Sequence, residues 1–388
     1  MAWKAFRELR QAGSPSDEAD MVNATAKKIR VLVVDDSAFM CKVLQGIINS
    51  DPQLEVVGEA HDGRAAVALA ESLRPDVITM DIDMPHVNGL QATELIMCQH
   101  PRPIVIVSSE TKDEEQAAAQ ALALGAIDFV SKPSGAIDLD LRTIGDQLNR
   151  KLKLAAKVRV IRTATRQAPD KFRGNALTSP SAIHKKAASK IPMVVIAAST
   201  GGPAAISRIV SGLPADLSAA VILVLHMPAA FTAQFEAQLA DIASLPVKGV
   251  KANDTPQPGV IYLCPGSHHL RISPMGRFLL DADSPAGGHK YRPSADLALE
   301  TAGDYGRSLV LGVILTGMGN DGVAGATALK AAGGYVVAQD ENTSTIFGMP
   351  AEVIKAGAAD EVLPLGEISA AIERHVSKLS HLALAGIL

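Results

Sequence analysis

Two kinds of apolar pattern alternate along this chain. Short β-branched runs come first, and each is followed by a longer stretch whose apolar positions return every three or four residues. Ile29–Val34 is the first run, the pattern of a strand covered on both faces. Leu54–Val57, Val77–Met80, Ile104–Val107 and Phe129–Val130 follow it. Helical periodicity lies between them at Ala38–Ile48, Arg64–Leu73, Leu90–Cys98 and Glu114–Leu124. Strands alternating with helices in this way predict a doubly wound parallel sheet over residues 29–147.

The pattern then fades and returns. Arg150–Lys190 carries twelve Lys/Arg against one acid, Asp170, with little periodicity after Val160. Residues 148–190 therefore read as a basic linker, a solvated tether. From Ile191 the alternation resumes. Strands are expected at Met193–Ala197, Val221–Leu225, Val260–Cys264, Leu309–Leu315 and Tyr335–Val337. Helices are expected at Ala204–Ser211, Thr232–Ile242, Ser294–Thr301, Val323–Ala332 and Glu367–Lys378. Residues 191–388 thus form a second α/β domain. Residues 1–28 read as a polar extension without the apolar block and cleavage site of a signal peptide. Met21, just before the first strand, is an alternative start.

Composition narrows the classes. A length of 388 residues favours two cores over one. The formal charge of −4 gives no general case for nucleic acid or membrane binding. The basic linker has a single aromatic, Phe172, and no helix-turn-helix pattern accompanies it, so a nucleic-acid partner is not expected. Cys41, Cys98 and Cys264 are far apart and lack metal-type spacing, which suits reduced, buried thiols in a cytoplasm. No apolar run approaches the length of a membrane span, so no membrane insertion is expected. His268 and His269 lack a third ligand at useful spacing and read as a loop beside the cleft rather than a metal site.

In an open parallel sheet, ligands sit beyond the carboxyl ends of the strands. In the first domain those ends carry Asp35 and Asp36, then Asp81, then Ser108 and Ser109, then Lys132. Clustered carboxylates repel unless a cation sits among them, and hard oxygen donors suit Mg²⁺. With Lys132 they form a site able to neutralise an incoming phosphoryl group. Taken singly, an Asp-Asp pair after a strand is more often a simple turn; together, each at its own strand end, these residues point to the site.

Over residues 29–147 the motifs VLVVDDS, MDIDMPHVNG, VSS and DFVSKP resemble response-regulator receiver domains, which are flavodoxin-like. The resemblance implies that Asp81 accepts phosphate from a histidine kinase. It implies Mg²⁺ held directly by Asp36 and Asp81 and through water by Asp35, with the Asp83 backbone carbonyl as a further ligand. Ser108 would be the switch hydroxyl, Phe129 the switch aromatic and Lys132 the phosphate contact.

The second domain repeats the arrangement with other chemistry. Met193–Ala197 leads to Ser199, Val221–Leu225 to His226, and Leu309–Leu315 to TGMGNDG with Asp321. If these strands are neighbours, the three side chains meet as a Ser-His-Asp triad. The turn at 194–203 leaves two readings open, a phosphate cradle or a nucleophile elbow. It lacks both G-x-G-x-x-G and the P-loop lysine, and Ala197-x-Ser199-x-Gly201 has the elbow's spacing. Thr200 N–H and the backbone of Gly317–Gly319 are the candidate oxyanion donors. Asp321 on its own reads equally well as the N-cap of the helix that follows.

IAASTGGP, LHMPAAFT, YLCPGSHHL, RPSAD, GVILTGMGNDG and FGMP are similar in order and spacing to the CheB family of protein-glutamate methylesterases, a match that covers residue 29 to about 380. Ala197 and Tyr291 depart from that family's usual glycine and histidine. The resemblance implies a Rossmann-like catalytic domain that needs no cofactor. It assigns Ser199 as nucleophile, His226 as base and Asp321 as its orienter, with Thr200 beside them and Met318 N–H in the oxyanion hole. It implies methyl-accepting chemoreceptors as substrates, a kinase of the CheA type as phosphodonor, and a cytoplasmic enzyme held off by its unphosphorylated receiver. The competing class is a non-enzymatic, receiver-linked signalling adaptor.

Overall fold

The computed structural model describes residues 27–108, 117–118, 120–122, 124–132, 138–158, 190–282, 288–289 and 291–384. Most of the expected N-terminal extension, Ser109, part of the expected Glu114–Leu124 helix and most of the linker lie outside the described residues.

The first sheet is built from β1 (Ile29–Val34), β2 (Leu54–Ala60), β3 (Val77–Met80), β4 (Ile104–Ser108) and β5 (Asp128–Ser131). Its order is β2-β1-β3-β4-β5 and every pair is parallel. This is the flavodoxin-like order, and the chain reverses direction across the sheet between β1 and β3. The helices α1 (Ala38–Asn49), α2 (Gly63–Leu73) and α3 (Gly89–Gln99) start at Ser37, Asp62 and Asn88. Each of those side chains accepts a backbone N–H from the first turn, which supplies a partner the helix itself cannot.

The helix α4 (Asp138–Ala155) runs across the boundary drawn at residue 147. Leu148, Leu152 and Ala155 are buried with Val31, Val33 and Leu44. Lys151 Nζ reaches Asp128 Oδ1 and Phe129 O, each at 2.7 Å, and Lys153 Nζ reaches Asp51 at 2.7 Å. The first basic residues ascribed to the tether are therefore committed to the fold. Their charge masked an apolar stripe at helical spacing.

The second sheet holds β6 (Met193–Ala198), β7 (Ala220–Leu225), β8 (Val247–Gly249), β9 (Ile261–Leu263), β12 (Val310–Ile314), β13 (Tyr335–Gln339) and β14 (Glu361–Leu363). Its order is β14-β13-β12-β6-β7-β9-β8, again parallel throughout. A separate antiparallel hairpin joins β10 (His269–Ile272) to β11 (Phe278–Asp281). Every residue of β6, β7 and β12 is buried, because helices cover both faces. The helices are α5 (Gly202–Val210), α6 (Thr232–Ile242), α7 (Ala295–Gly306), α8 (Val323–Ala331), α9 (Met349–Lys355) and α10 (Leu365–Leu384). His269 is a correction to the expected loop: it opens β10 and is fully buried.

The two sheets share a packed boundary. Phe129 of β5 lies against Phe231, just before α6, with ring centroids 4.1 Å apart. Thr200 Oγ1 donates to Asp128 Oδ2 at 2.7 Å across the same boundary.

Leu152 separates the helical reading of 148–155 from the tether reading. We expect Leu152→Ala to cost about 2–5 kcal/mol in denaturant unfolding of the first sheet, the range for truncating a buried leucine. An unchanged midpoint would mean that this turn contributes nothing to the core.

Candidate functional site

The strand order brings the ends of β12, β6 and β7 side by side. Their registers pair Ala197 with Ile314 and Ala198 with Leu225. Beyond them, His226 N–H donates to Ala198 O at 3.0 Å and Ser199 N–H to Thr316 O at 3.1 Å. Ser199, His226 and Asp321 thus emerge from three adjacent strands at the point where the sheet reverses direction.

The Ser199 turn is tightly held. Gly202 N–H bonds Ser199 O at 2.7 Å, and Thr316 Oγ1 donates to Thr200 O at 3.0 Å. Gly201 takes a φ of +76°, the left-handed region open to glycine, and α5 begins at once with Pro203 in its first turn. This strand–turn–helix geometry is that of a nucleophile elbow, and half-buried Ser199 stands at its tip.

His226 Nε2 lies 2.7 Å from Asp321 Oδ2, while the buried Nδ1 has no hydrogen-bond partner. The imidazole–carboxylate half of a triad is therefore made. The serine–imidazole half is not closed, and a base nitrogen is left for it. Tyr291 stacks on the imidazole with centroids 4.8 Å apart and an interplanar angle of 10°.

Asp321 does not cap α8; Gly322 occupies that position. Its carboxylate instead meets the start of α7, where it accepts from Ser294 Oγ at 3.1 Å, Ala295 N–H at 2.7 Å and Asp296 N–H at 3.0 Å. Burial works against its charge. The His226 hydrogen bond and the two backbone donors outweigh that cost and hold its carboxyl below the usual carboxylate value.

Thr200 is more constrained than its sequence suggests. Its side chain is spent on Asp128, and Lys151 holds Asp128 in turn. Its own N–H, like that of Met318, meets no acceptor among the described residues. Asp128 was not singled out in the sequence because its partner Thr200 lies in the other sheet, and Lys151 because it read as one of the linker's basic residues.

At the first sheet, Asp35, Asp36 and Asp81 offer oxygens that all lie within 4.8 Å of one another. Asp35 and Asp81 are buried, and Asp36 is exposed. Lys132 Nζ sits 3.0 Å from Asp35 Oδ2 and 2.8 Å from Asp81 Oδ1. Burial pushes the Asp81 carboxyl up to about 6, and the Lys132 hydrogen bond and charge oppose that rise. Ser108 Oγ is buried without a partner at the end of β4. Three hard oxygen donors that carry one ammonium between them fit a divalent cation of the Mg²⁺ type. The Asp83 side chain is exposed and outside this cluster; its expected role concerns the main-chain carbonyl.

Comparison with known proteins agrees with both halves. Residues 194–372 match the family model described as CheB methylesterase, and residues 31–143 match the response regulator receiver domain. A protein-glutamate methylesterase/protein-glutamine glutaminase of Pyrococcus abyssi is 42% identical over 360 residues, covering 92% of this chain and 95% of that protein. A protein of the same name from Symbiobacterium thermophilum is 40% identical over 364 residues, covering 92% of this chain and 100% of that protein. Among solved structures, the Thermotoga maritima CheB methylesterase catalytic domain is 37% identical, covering 48% of this chain and 99% of that chain with a TM-score of 0.46.

A methyl group on Gly317 would lie 2.8 Å from Ser199 Cβ and 3.0 Å from Ser199 N, and would run into Met349 Sδ. We expect Gly317→Ala to slow labelling of Ser199 by a fluorophosphonate about tenfold or more, as displacement of a nucleophile does. Labelling at the wild-type rate would mean that the elbow has room to spare.

Proposed function

The chain belongs to the CheB methylesterase family, and from that premise we propose that it is a protein-glutamate methylesterase and protein-glutamine glutaminase acting through Ser199. It hydrolyses glutamate γ-methyl esters and glutamine side-chain amides within a chemotaxis pathway. The observation that carries the site assignment is the His226–Asp321 pair at 2.7 Å, which leaves a buried, unpartnered Nδ1 at the strand end beside Ser199.

The chemistry follows from the donors and acceptors. Ser199 Oγ attacks the γ-carbonyl carbon and its proton passes to His226 Nδ1. Asp321 carries the resulting imidazolium as a charged partner on Nε2. The N–H groups of Thr200 and Met318 face the oxyanion as it forms. His226 returns the proton to the leaving group, so methanol departs from an ester and ammonia from an amide. Water, deprotonated by the same nitrogen, hydrolyses the seryl ester and frees glutamate. Ester and amide share one acyl intermediate, so one site serves both.

The receiver spans residues 29–147 and extends through α4 in this reading, and residues 191–388 carry the catalysis. Asp81 is the phosphoacceptor. Asp35, Asp36 and Asp81, with the Asp83 carbonyl, would hold Mg²⁺, which supplies charge neutralisation for phosphoryl transfer when bound. Lys132 and Ser108 would take the phosphoryl oxygens. The phosphodonor is a histidine kinase of the CheA type, and the substrates are methyl-accepting chemoreceptors. The site of action in this reading is the cytoplasm. Among the described residues no helix is long and apolar enough to cross a membrane.

Regulation runs through the shared boundary. Phosphorylation adds about −1.5 to −2 charges beside Lys132. Its pull on Ser108 and Phe129 loosens the tilted Phe129–Phe231 contact and the Asp128–Thr200 bond, the second of which reaches the residue after Ser199.

Methanol release from methylated receptor membranes, with a small-molecule phosphodonor and Mg²⁺ present, tests the proposal. Wild type should release methanol, and Ser199→Ala should fall by at least about 10³-fold, the scale for loss of a triad nucleophile. Asp81→Asn should keep basal release but lose stimulation by the phosphodonor. Release undiminished in Ser199→Ala would place the chemistry elsewhere.

A further inference from the structure

Two carboxylates cross over where α7 and α8 begin. Asp321 precedes the Gly322 cap of α8, yet its carboxylate accepts from the first N–H groups of α7. Asp296 is the second residue of α7, and its Oδ1 accepts from α8: Gly322 N–H at 2.8 Å and Gly325 N–H at 2.8 Å. The start of each helix thus receives an acceptor for its free N–H groups from a residue at the start of the other.

The arrangement bears directly on the catalytic carboxylate. Gly322 is bonded in sequence to Asp321 and has a φ of +102°, a conformation with little intrinsic restraint. The Asp296 hydrogen bond removes that freedom. The helices also meet closely, since a Cβ on Gly325 would lie 2.7 Å from Asp296 Cα. Burial and the neighbouring Asp321 charge push the Asp296 carboxyl above its ordinary value, and the Gly325 and Gly322 N–H groups oppose that rise.

We propose that Asp296 is a positioning residue for the hydrolytic reaction: by holding Gly322 and Gly325 it fixes the Asp321 carboxylate, and through it the His226 imidazole. Asp296 touches neither Ser199 nor, in this account, the substrate. The inference rests on the triad reading above and deepens it, because it makes Asp321 half of a reciprocal lock.

The test is a mutant cycle on the full chain, read as methanol release with a phosphodonor and Mg²⁺. Asp296→Ala should lower kcat about 10- to 100-fold and leave KM within about twofold, the signature of lost transition-state positioning. Asp296→Asn keeps an Oδ1 acceptor and should restore kcat to within about threefold of wild type. In an Asp321→Ala background, Asp296→Ala should cost nothing further, because the residue acts through Asp321. Wild-type kcat in Asp296→Ala, or the same fold-loss in both backgrounds, would overturn the assignment. Should Asp296→Ala fail to fold, Asp296→Glu keeps the charge and displaces the acceptor. It should lose kcat in the wild-type background and not in Asp321→Ala, and the opposite result overturns the proposal equally. Wild-type kcat in Asp321→Ala alone would instead overturn the triad reading on which this inference rests.

Discussion

The carboxylate of Asp321 is the point on which the catalytic half of the molecule depends. It is almost wholly buried, and a buried charge without partners is strongly unfavourable. Here it has Ser294 Oγ, two backbone N–H groups at the start of α7 and the His226 imidazole. These donors hold it in one position and favour its charged form. His226 then has one ring nitrogen committed and the other free, and the free one stands beside the Ser199 turn. The proposed triad is thus organised from its carboxylate outward.

The same logic of strand ends governs both sheets. A parallel sheet reverses direction at one place, and the loops there cannot cover it from both sides. In the first sheet that place gathers Asp35, Asp36 and Asp81 around Lys132. In the second it gathers Ser199, His226 and Asp321. The two sites are coupled because β5, the strand that ends beside Lys132, also carries Asp128 and Phe129. Those two residues contact Thr200 and Phe231 of the other sheet. A charge added at Asp81 therefore has a short physical route to Thr200, the residue that follows Ser199.

Much of this was legible in the sequence, and what escaped did so for identifiable reasons. Central strands such as β6, β7 and β12 are buried on both faces and read as unbroken apolar runs, so the residues after them were found directly. The edge strands β8 and β14 are three residues long and partly exposed, which leaves no period to detect. The extension of α4 through Ala155 hid behind Lys151 and Lys153, whose charges suggested a tether although both are held in ion pairs. Asp321 was found as the partner of His226, but the two backbone N–H groups that hold it are 25 and 26 residues away along the chain, a pairing that no local pattern shows. Asp128 and Thr200 are 72 residues apart and in different sheets, a pairing that no local pattern encodes.

The central claim, that Asp321 fixes the imidazole so that Nδ1 is the free base, concerns the position of one proton. Nitrogen-15 magnetic resonance of the His226 ring, in the neutral form, reads it directly. The account predicts the Nε2–H tautomer, with a strongly deshielded Hε2 proton that is lost in Asp321→Ala. An Nδ1–H tautomer in the wild-type protein would contradict it, because the nitrogen meant to accept the Ser199 proton would already carry one.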